Sequence, residues 1–349
     1  MSNRQVTLEQ EIDLIDMEFG PFFERRRNYP TRQKGRNMFS RSSKAAMLIG
    51  GSVGIVVLGL SGIGLAGVTG DLNTTSVSYG PALATQTINT GFGDSNYTGS
   101  PNGPDANGSE LDAAYGVVSG GNLNLFLAGN FENNGNHVNV FIADGRPGQS
   151  VLNTSVGPIN SMNGSVFSPG FSATYVLDSN DYQGTMYTDV ADLFNNNGGY
   201  QGAVGLSAGI GNGTLSNGIL LGLNNSNTAG VNGAGGTATN PADADAVTTG
   251  LELAIPLSLL GNPAPGSDIL VMADINGGGN GYLSNQFLPG LPVGTGNVGG
   301  GGPFTGPSSG AFNFGATPGE YFAVTVPEPT SMCLIGGAAM LLCVRRRKA

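Results

Sequence analysis

Between residues 88 and 326, apolar and polar side chains alternate with a period of two, the spacing that turns one face of a β-strand toward a core and the other away from it. In NLNLFLAGNF (122–131), Leu123, Leu125 and Leu127 point one way while Asn122, Asn124 and Phe126 point the other. In HVNVFIAD (137–144), Val138, Val140 and Ile142 alternate with His137, Asn139 and Phe141. These two runs are expected to be adjacent strands of one hairpin or meander. Further strands are predicted at 111–118, 171–177, 185–190, 202–208, 218–223, 251–255, 269–275 and 320–326, separated by runs of Gly, Asn, Ser and Pro. The segment PLSLLG after Ile255 is expected to make one helical turn. Ten or so short strands without a helical stripe predict an all-β, antiparallel two-sheet β-sandwich of jelly-roll type with less than about 10% helix. The stretches 224–246 and 294–310 lack periodicity and are expected as long surface loops.

Both ends break this pattern. Residues 45–68, AAMLIGGSVGIVVLGLSGIGLAGV, carry no charge and follow Arg36, Arg41 and Lys44, so this stretch can cross a membrane as a helix. It reads either as a signal peptide, with Gly64 and Ala66 as the small residues before a cut, or as a retained anchor; its glycine content makes it a poor permanent span and favours cleavage. A second small-x-small triplet, Ala82-Leu83-Ala84, lies further on. Residues 1–44 form an acidic, then basic leader. Thr7 with Gln10 fits a capping box and Leu8, Ile12, Ile15 and Phe19 share a helical face, consistent with a cytoplasmic docking helix; the competing account starts translation at Met38.

At the other end, Val326-Pro327-Glu328-Pro329 precedes an uncharged stretch, 330–344, and then Arg345, Arg346, Arg347 and Lys348. Fifteen residues make a helix of about 22 Å, shorter than a ~30 Å hydrocarbon core, so the segment is a marginal anchor. The prolines keep the backbone upstream extended and open to a protease. The chain therefore divides into a leader (1–44), a signal or anchor helix (45–68), an acidic β-sandwich (88–326) and a C-terminal tail (327–349) with a short transmembrane helix.

Composition sharpens the picture of the middle. Glycine fills 60 of 349 positions and charged residues only 11%, a balance suited to strands and loops. Residues 71–326 hold one basic residue, Arg146, against 17 acidic ones, a formal charge of −16. Such a surface repels phosphate and excludes nucleic acid as a partner. The two cysteines, Cys333 and Cys343, lie in the C-terminal apolar stretch, which leaves the sandwich without a disulfide framework.

The tail, with its PEP motif at Pro327, Glu328 and Pro329, its apolar run and its basic stop at Arg345, Arg346, Arg347 and Lys348, resembles the PEP-CTERM family of exosortase substrates. The resemblance implies export through the inner membrane by the secretion translocon. It also implies a membrane-anchored precursor, cutting at or near the motif by an exosortase, a multi-pass membrane protease, and delivery to the envelope, surface or extracellular space, commonly beside exopolysaccharide. In the middle, GSELDAAYGVVSGGNLNLFLAGN with VFIADGRPGQ, and GLELAIPLSLLG with its Glu-x-x-Ile-Pro corner, resemble the strands of DOMON and family-nine carbohydrate-binding sandwiches. Those carbohydrate modules grip sugar between tryptophans; this chain has none.

Candidate chemistry is sparse. His137 is expected on the solvent-facing side of its strand, without an oriented serine to activate, and one histidine with no cysteine in the middle supports no zinc site. No catalysis and no cofactor are expected. Calcium has two oxygen-rich segments to choose from: DANGSELD, offering Asp105, Asn107, Ser109, Glu110 and Asp112, and DINGGGN, offering Asp274 and Asn276 in a flexible loop. Gly116 stands where the first segment would need the glutamate of an EF-hand, so polar turns with solubilising carboxylates are the competing reading. The functional expectation is an exported surface or matrix protein of structural or binding type. The alternatives are a secreted module binding extracellular polysaccharide and a secreted hydrolase.

Overall fold

Thirteen strands are found among the residues described by the computed structural model, which are 67–92, 108–227, 230–231 and 244–328. In chain order they are β1 (Ala84–Thr85), β2 (Glu110–Ser119), β3 (Asn122–Asn130), β4 (Asn134–Ala143), β5 (Tyr175–Tyr182), β6 (Thr185–Asp192) and β7 (Asn197–Gly205). They continue with β8 (Ile210–Thr214), β9 (Leu220–Asn224), β10 (Gly250–Pro256), β11 (Asp268–Asn276), β12 (Leu283–Leu288) and β13 (Phe322–Thr325). One sheet runs β1-β2-β3-β10-β9-β8; the other runs β12-β11-β4-β5-β6-β7, with β13 also paired to β11, and every ladder is antiparallel. The expected two-sheet β-sandwich is therefore present. Helical backbone among the described residues is limited to Ala244 and the 3-10 turns Ile159–Met162, Gly278–Asn280 and Val298–Gly300.

The period-two faces are those the sequence predicts. Leu123, Leu125 and Leu127 on β3 meet Val138, Val140 and Ile142 on β4 in the core between the sheets, each at most 1% exposed. Burial of a leucine side chain contributes about 1.5–3 kcal/mol. The β2-β3 hairpin turns on Gly120 and Gly121, whose φ of 60° and 81° suit the two-residue turn that matches strand twist.

The pairing of the two clearest runs is different from that expected. β3 lies between β2 and β10 while β4 lies between β11 and β5, so the two occupy opposite sheets. Alternation identifies which side of a strand faces the core, and both sheets share that core, so a short connection between matching runs reads as a hairpin although the chain is crossing the sandwich. The crossing is held by Asn225, whose side chain accepts the Phe131 N–H at 2.8 Å and donates to the Phe131 carbonyl at 2.5 Å.

Strand ends also move. The run predicted at 171–177 is strand only from Tyr175, because Phe171 and Ala173 belong to a second core; β7 begins five residues before its predicted start; β8, β12 and the short β1 carried too little alternation to be recognised. PLSLLG forms a turn, with Leu259 N–H donating to the Pro256 carbonyl and Leu260 N–H to that of Leu257.

Two further apolar clusters cover the outward faces. On the second sheet, Phe141, Val176 and Met272 pack under segments 144–174 and 289–321 with Phe167, Phe312 and Phe314, in edge-to-face contacts such as Phe141–Phe312 at 5.5 Å. Segment 294–310, expected as a surface loop, thus carries buried Val298 and Phe304. On the first sheet, Tyr115 and Phe126 lie beneath Leu72 and Tyr79, so the sandwich body also takes in residues 67–87.

Candidate functional site

The exit of the chain from the sandwich is sharply defined. β13 runs antiparallel to β11, with Thr325 opposite Asp268, and Thr325 Oγ1 donates to Asp268 Oδ1 at 2.6 Å. Val326 adds a last pair of backbone bonds: its N–H donates to the Ser267 carbonyl and its carbonyl accepts the Gly266 N–H, both at 2.8 Å. Val326 is buried, and Pro327 and Glu328 immediately after it are exposed. Proline has no N–H to continue the ladder, so the motif leaves the sheet at the residue where pairing stops being available. Pro329, the apolar stretch 330–344 and the basic group Arg345, Arg346, Arg347 and Lys348 lie outside the described residues, as do 1–44 and the stretch 45–66.

His137 is not solvent-facing. It lies on the outward side of β4 but is only 5% exposed, because the turn 277–281 folds over this half of the sheet. Its Nε2 accepts the Gly279 N–H at 3.0 Å, which places the ring proton on Nδ1, 2.5 Å from Asp178 Oδ1. Both ring nitrogens are occupied by structural partners. Asp274, Asn139, Asp178 and Asp189 stand side by side on β11, β4, β5 and β6, in register across the sheet. Asn280 from the covering turn donates to Asp178 Oδ2 at 2.6 Å, and Asn139 Nδ2 donates to Asp274 Oδ1 and to Asn280 Oδ1, each at 2.9 Å. Asp274 and Asn276, expected in a flexible loop, are thus buried strand residues of β11; the loop begins only after them. Burial pushes the Asp274 carboxyl up to about 8, opposed by the Asn139 hydrogen bond and reinforced by the Asp178 charge.

The calcium candidates are divided. Asp105 and Asn107 lie outside the described residues. Glu110 and Asp112 open β2 and are fully buried, and Asp112 Oδ1 accepts the Val231 N–H at 3.0 Å. Ser109 Oγ accepts from the Glu132 N–H and the Asn136 amide. No group of three or more His, Cys, Asp or Glu is arranged to hold a metal ion among the described residues.

One residue of consequence was legible only as part of the Glu-x-x-Ile-Pro corner. Glu252, on the outward face of β10, accepts the Thr69 N–H at 2.7 Å and the Gly70 N–H at 3.1 Å on Oε2, and the Thr75 and Tyr79 hydroxyls at 2.5 and 3.2 Å on Oε1. Its carboxylate clasps the strap 67–79 to the first sheet. An acid at the outward position of an otherwise apolar strand was the available signal. Burial, with the neighbouring Glu252 charge and hydrogen bond, pushes the Tyr79 phenol well above its ordinary range. Arg146 is also engaged: its Nε lies 3.0 Å from Asp144 Oδ1, and its guanidinium sits 4.6 Å above the Phe194 ring.

Comparison with known proteins gives one match. The model of the PEP-CTERM protein-sorting motif matches residues 325–348, the last residue of β13 and the tail beyond it. No curated protein and no solved structure gives a significant match.

Proposed function

We propose, from the premise that the chain carries a PEP-CTERM sorting motif, that its acidic β-sandwich is delivered to the cell surface or extracellular matrix as a structural or binding module without catalysis of its own. The observation that carries this reading is the placement of the motif. Val326 makes the final backbone pair of the sandwich and Pro327 and Glu328 are already exposed, so a membrane protease of exosortase type could cut there without dismantling a strand. The apolar run and the basic group beyond would hold the precursor in the inner membrane until that cut. The absence of catalysis is supported by His137, whose ring nitrogens are both committed to Asp178 and Gly279 beneath a covering turn.

The test separates two steps. Replacing Pro327, Glu328 and Pro329 with alanine keeps the apolar run and the basic stop; export should proceed and the uncut precursor should accumulate in the inner membrane. Neutralising Arg345, Arg346, Arg347 and Lys348 removes the charges that fix the cytoplasmic end, and that variant should leak from the membrane uncut. Fractionation with intact-mass measurement reads both. Trimming and delivery of the alanine variant at the parent's level would overturn the reading.

A further inference from the structure

We propose that the outward face of β5, β6 and β7 binds a neutral polysaccharide chain. The inference deepens the surface-module reading above and rests on it for the protein's place at the cell surface.

The second sheet's outward side has two halves. One is roofed by the aromatic cluster and by the turn over His137. The other, toward β7, carries exposed tyrosines. Tyr182, Tyr187 and Tyr200 are 47%, 38% and 58% exposed, three of the four exposed tyrosines among the described residues. Register puts them on one face. Met186 and Val190 point into the intersheet core, so Tyr187 and Asp189 point out; Tyr187 pairs with Asn180 on β5, two residues before Tyr182, and Asp189 pairs with Tyr200 on β7. The three rings thus step diagonally across three strands, at about 8 Å per step for diagonal neighbours. On β7 the outward position opposite Tyr187 is small, Ala203, while Asp189 lies between Tyr187 and Tyr200 and Asn180 lies beside Tyr187 on β5.

This chemistry selects its ligand. A tyrosine ring left in water costs apolar exposure that an ordinary polar strand face avoids, and three on one side of the sheet constitute a platform. Sugars present a C–H face to such rings while their hydroxyls bond to side chains at the edges, here the amide of Asn180 and the carboxylate of Asp189. An extended, open face suits a polymer better than an enclosed small molecule. Charge excludes the polyanions: residues 71–326 carry −16, and Arg146, the one basic residue among them, is held by Asp144 and Phe194. Tyrosine gives contact area at low conformational cost, which compensates for the missing tryptophans.

The experiment uses the full chain purified in detergent. Retention is measured on cellulose, β-1,3-glucan and starch, with alginate as the anionic control, followed by calorimetric titration with soluble oligosaccharides of whichever glucan retains it. Retention on at least one neutral glucan is expected. Y187A and Y200A should each bind about tenfold more weakly or worse, whereas Y187F and Y200F should stay within about threefold of the parent, since stacking rather than the hydroxyl carries the contact. All four variants replace an exposed side chain, Tyr187 or Tyr200, and unchanged melting temperatures check that the fold is intact. Failure to bind any of the three neutral glucans overturns the proposal, as does equal retention on alginate or parent-like affinity in both alanine variants. Self-association of the parent that Y187A and Y200A abolish also overturns it, by identifying the occupant as a second copy. Failure of the sorting reading would appear separately, in fractionation of the motif variant.

Discussion

At the scale of single residues, the most consequential feature is a carboxyl in a place where carboxylates are costly. Asp274 is fully buried on β11, and desolvation, with the Asp178 charge, raises it to about 8 against the pull of Asn139. In the unfolded chain an aspartate titrates near ~3.9. Between those values the folded state holds a proton that the unfolded state has released, so stability is greatest below the unfolded value and declines as pH rises to about 8. Glu320, buried and raised to about 7 by desolvation, acts in the same direction over a narrower window. Asp274→Asn imitates the protonated acid and keeps an oxygen for Asn139. Denaturant midpoints of parent and variant at pH 5 and pH 8 should therefore diverge, the variant gaining relative to the parent as pH rises. Parallel profiles would show that Asp274 does not hold its proton in the fold.

At the scale of elements, the strap 67–79 shows how one side chain can organise a segment that has no strand of its own. Four donors converge on Glu252, two from the backbone at Thr69 and Gly70 and two hydroxyls from Thr75 and Tyr79. Gly70 has φ of 70°, and a Cβ there would come within 2.7 Å of the Gly250 carbonyl oxygen, so the close approach of strap to β10 depends on a residue without a side chain. Glu252→Gln presents an amide donor to a site that supplies only donors. Leaving buried groups unmatched in this way costs about 2–4 kcal/mol in total. Chemical denaturation should register that loss, and amide exchange should accelerate in the strap before the central strands β3 and β10. A variant as stable and as protected as the parent would mean the strap is held by Leu72 and Tyr79 packing alone.

At the scale of the whole molecule, the strap bears on where a cut would fall if residues 45–68 act as a signal peptide. Cutting after Ala84 would fall inside β1, where Ala84 pairs with Ala114, and would remove every group that Glu252 holds. Cutting after Ala66 leaves the strap intact. The mature protein is therefore expected to begin at Gly67, and mass spectrometry of the exported form finding Thr85 or an uncut leader would contradict this. The sequence by itself determined what depends on neighbours along the chain. The faces of β3 and β4 follow from strict alternation of small repeats, the β2-β3 turn from Gly120-Gly121, the acidic character from one arginine among seventeen carboxylates, and the sorting tail from contiguous residues 325–348. Tertiary structure alone decided what depends on chain segments far apart. It placed β3 and β4 in opposite sheets through the crossing at Phe131, buried the outward-facing Phe126 and Phe141 under remote loops, and roofed His137 with Gly279. It also brought Tyr182, Tyr187 and Tyr200 to one face. The physical reason is the same in each case: periodicity records that a side chain has two environments to choose between, whereas the partner that fills each environment arrives from elsewhere in the sequence and leaves no local trace.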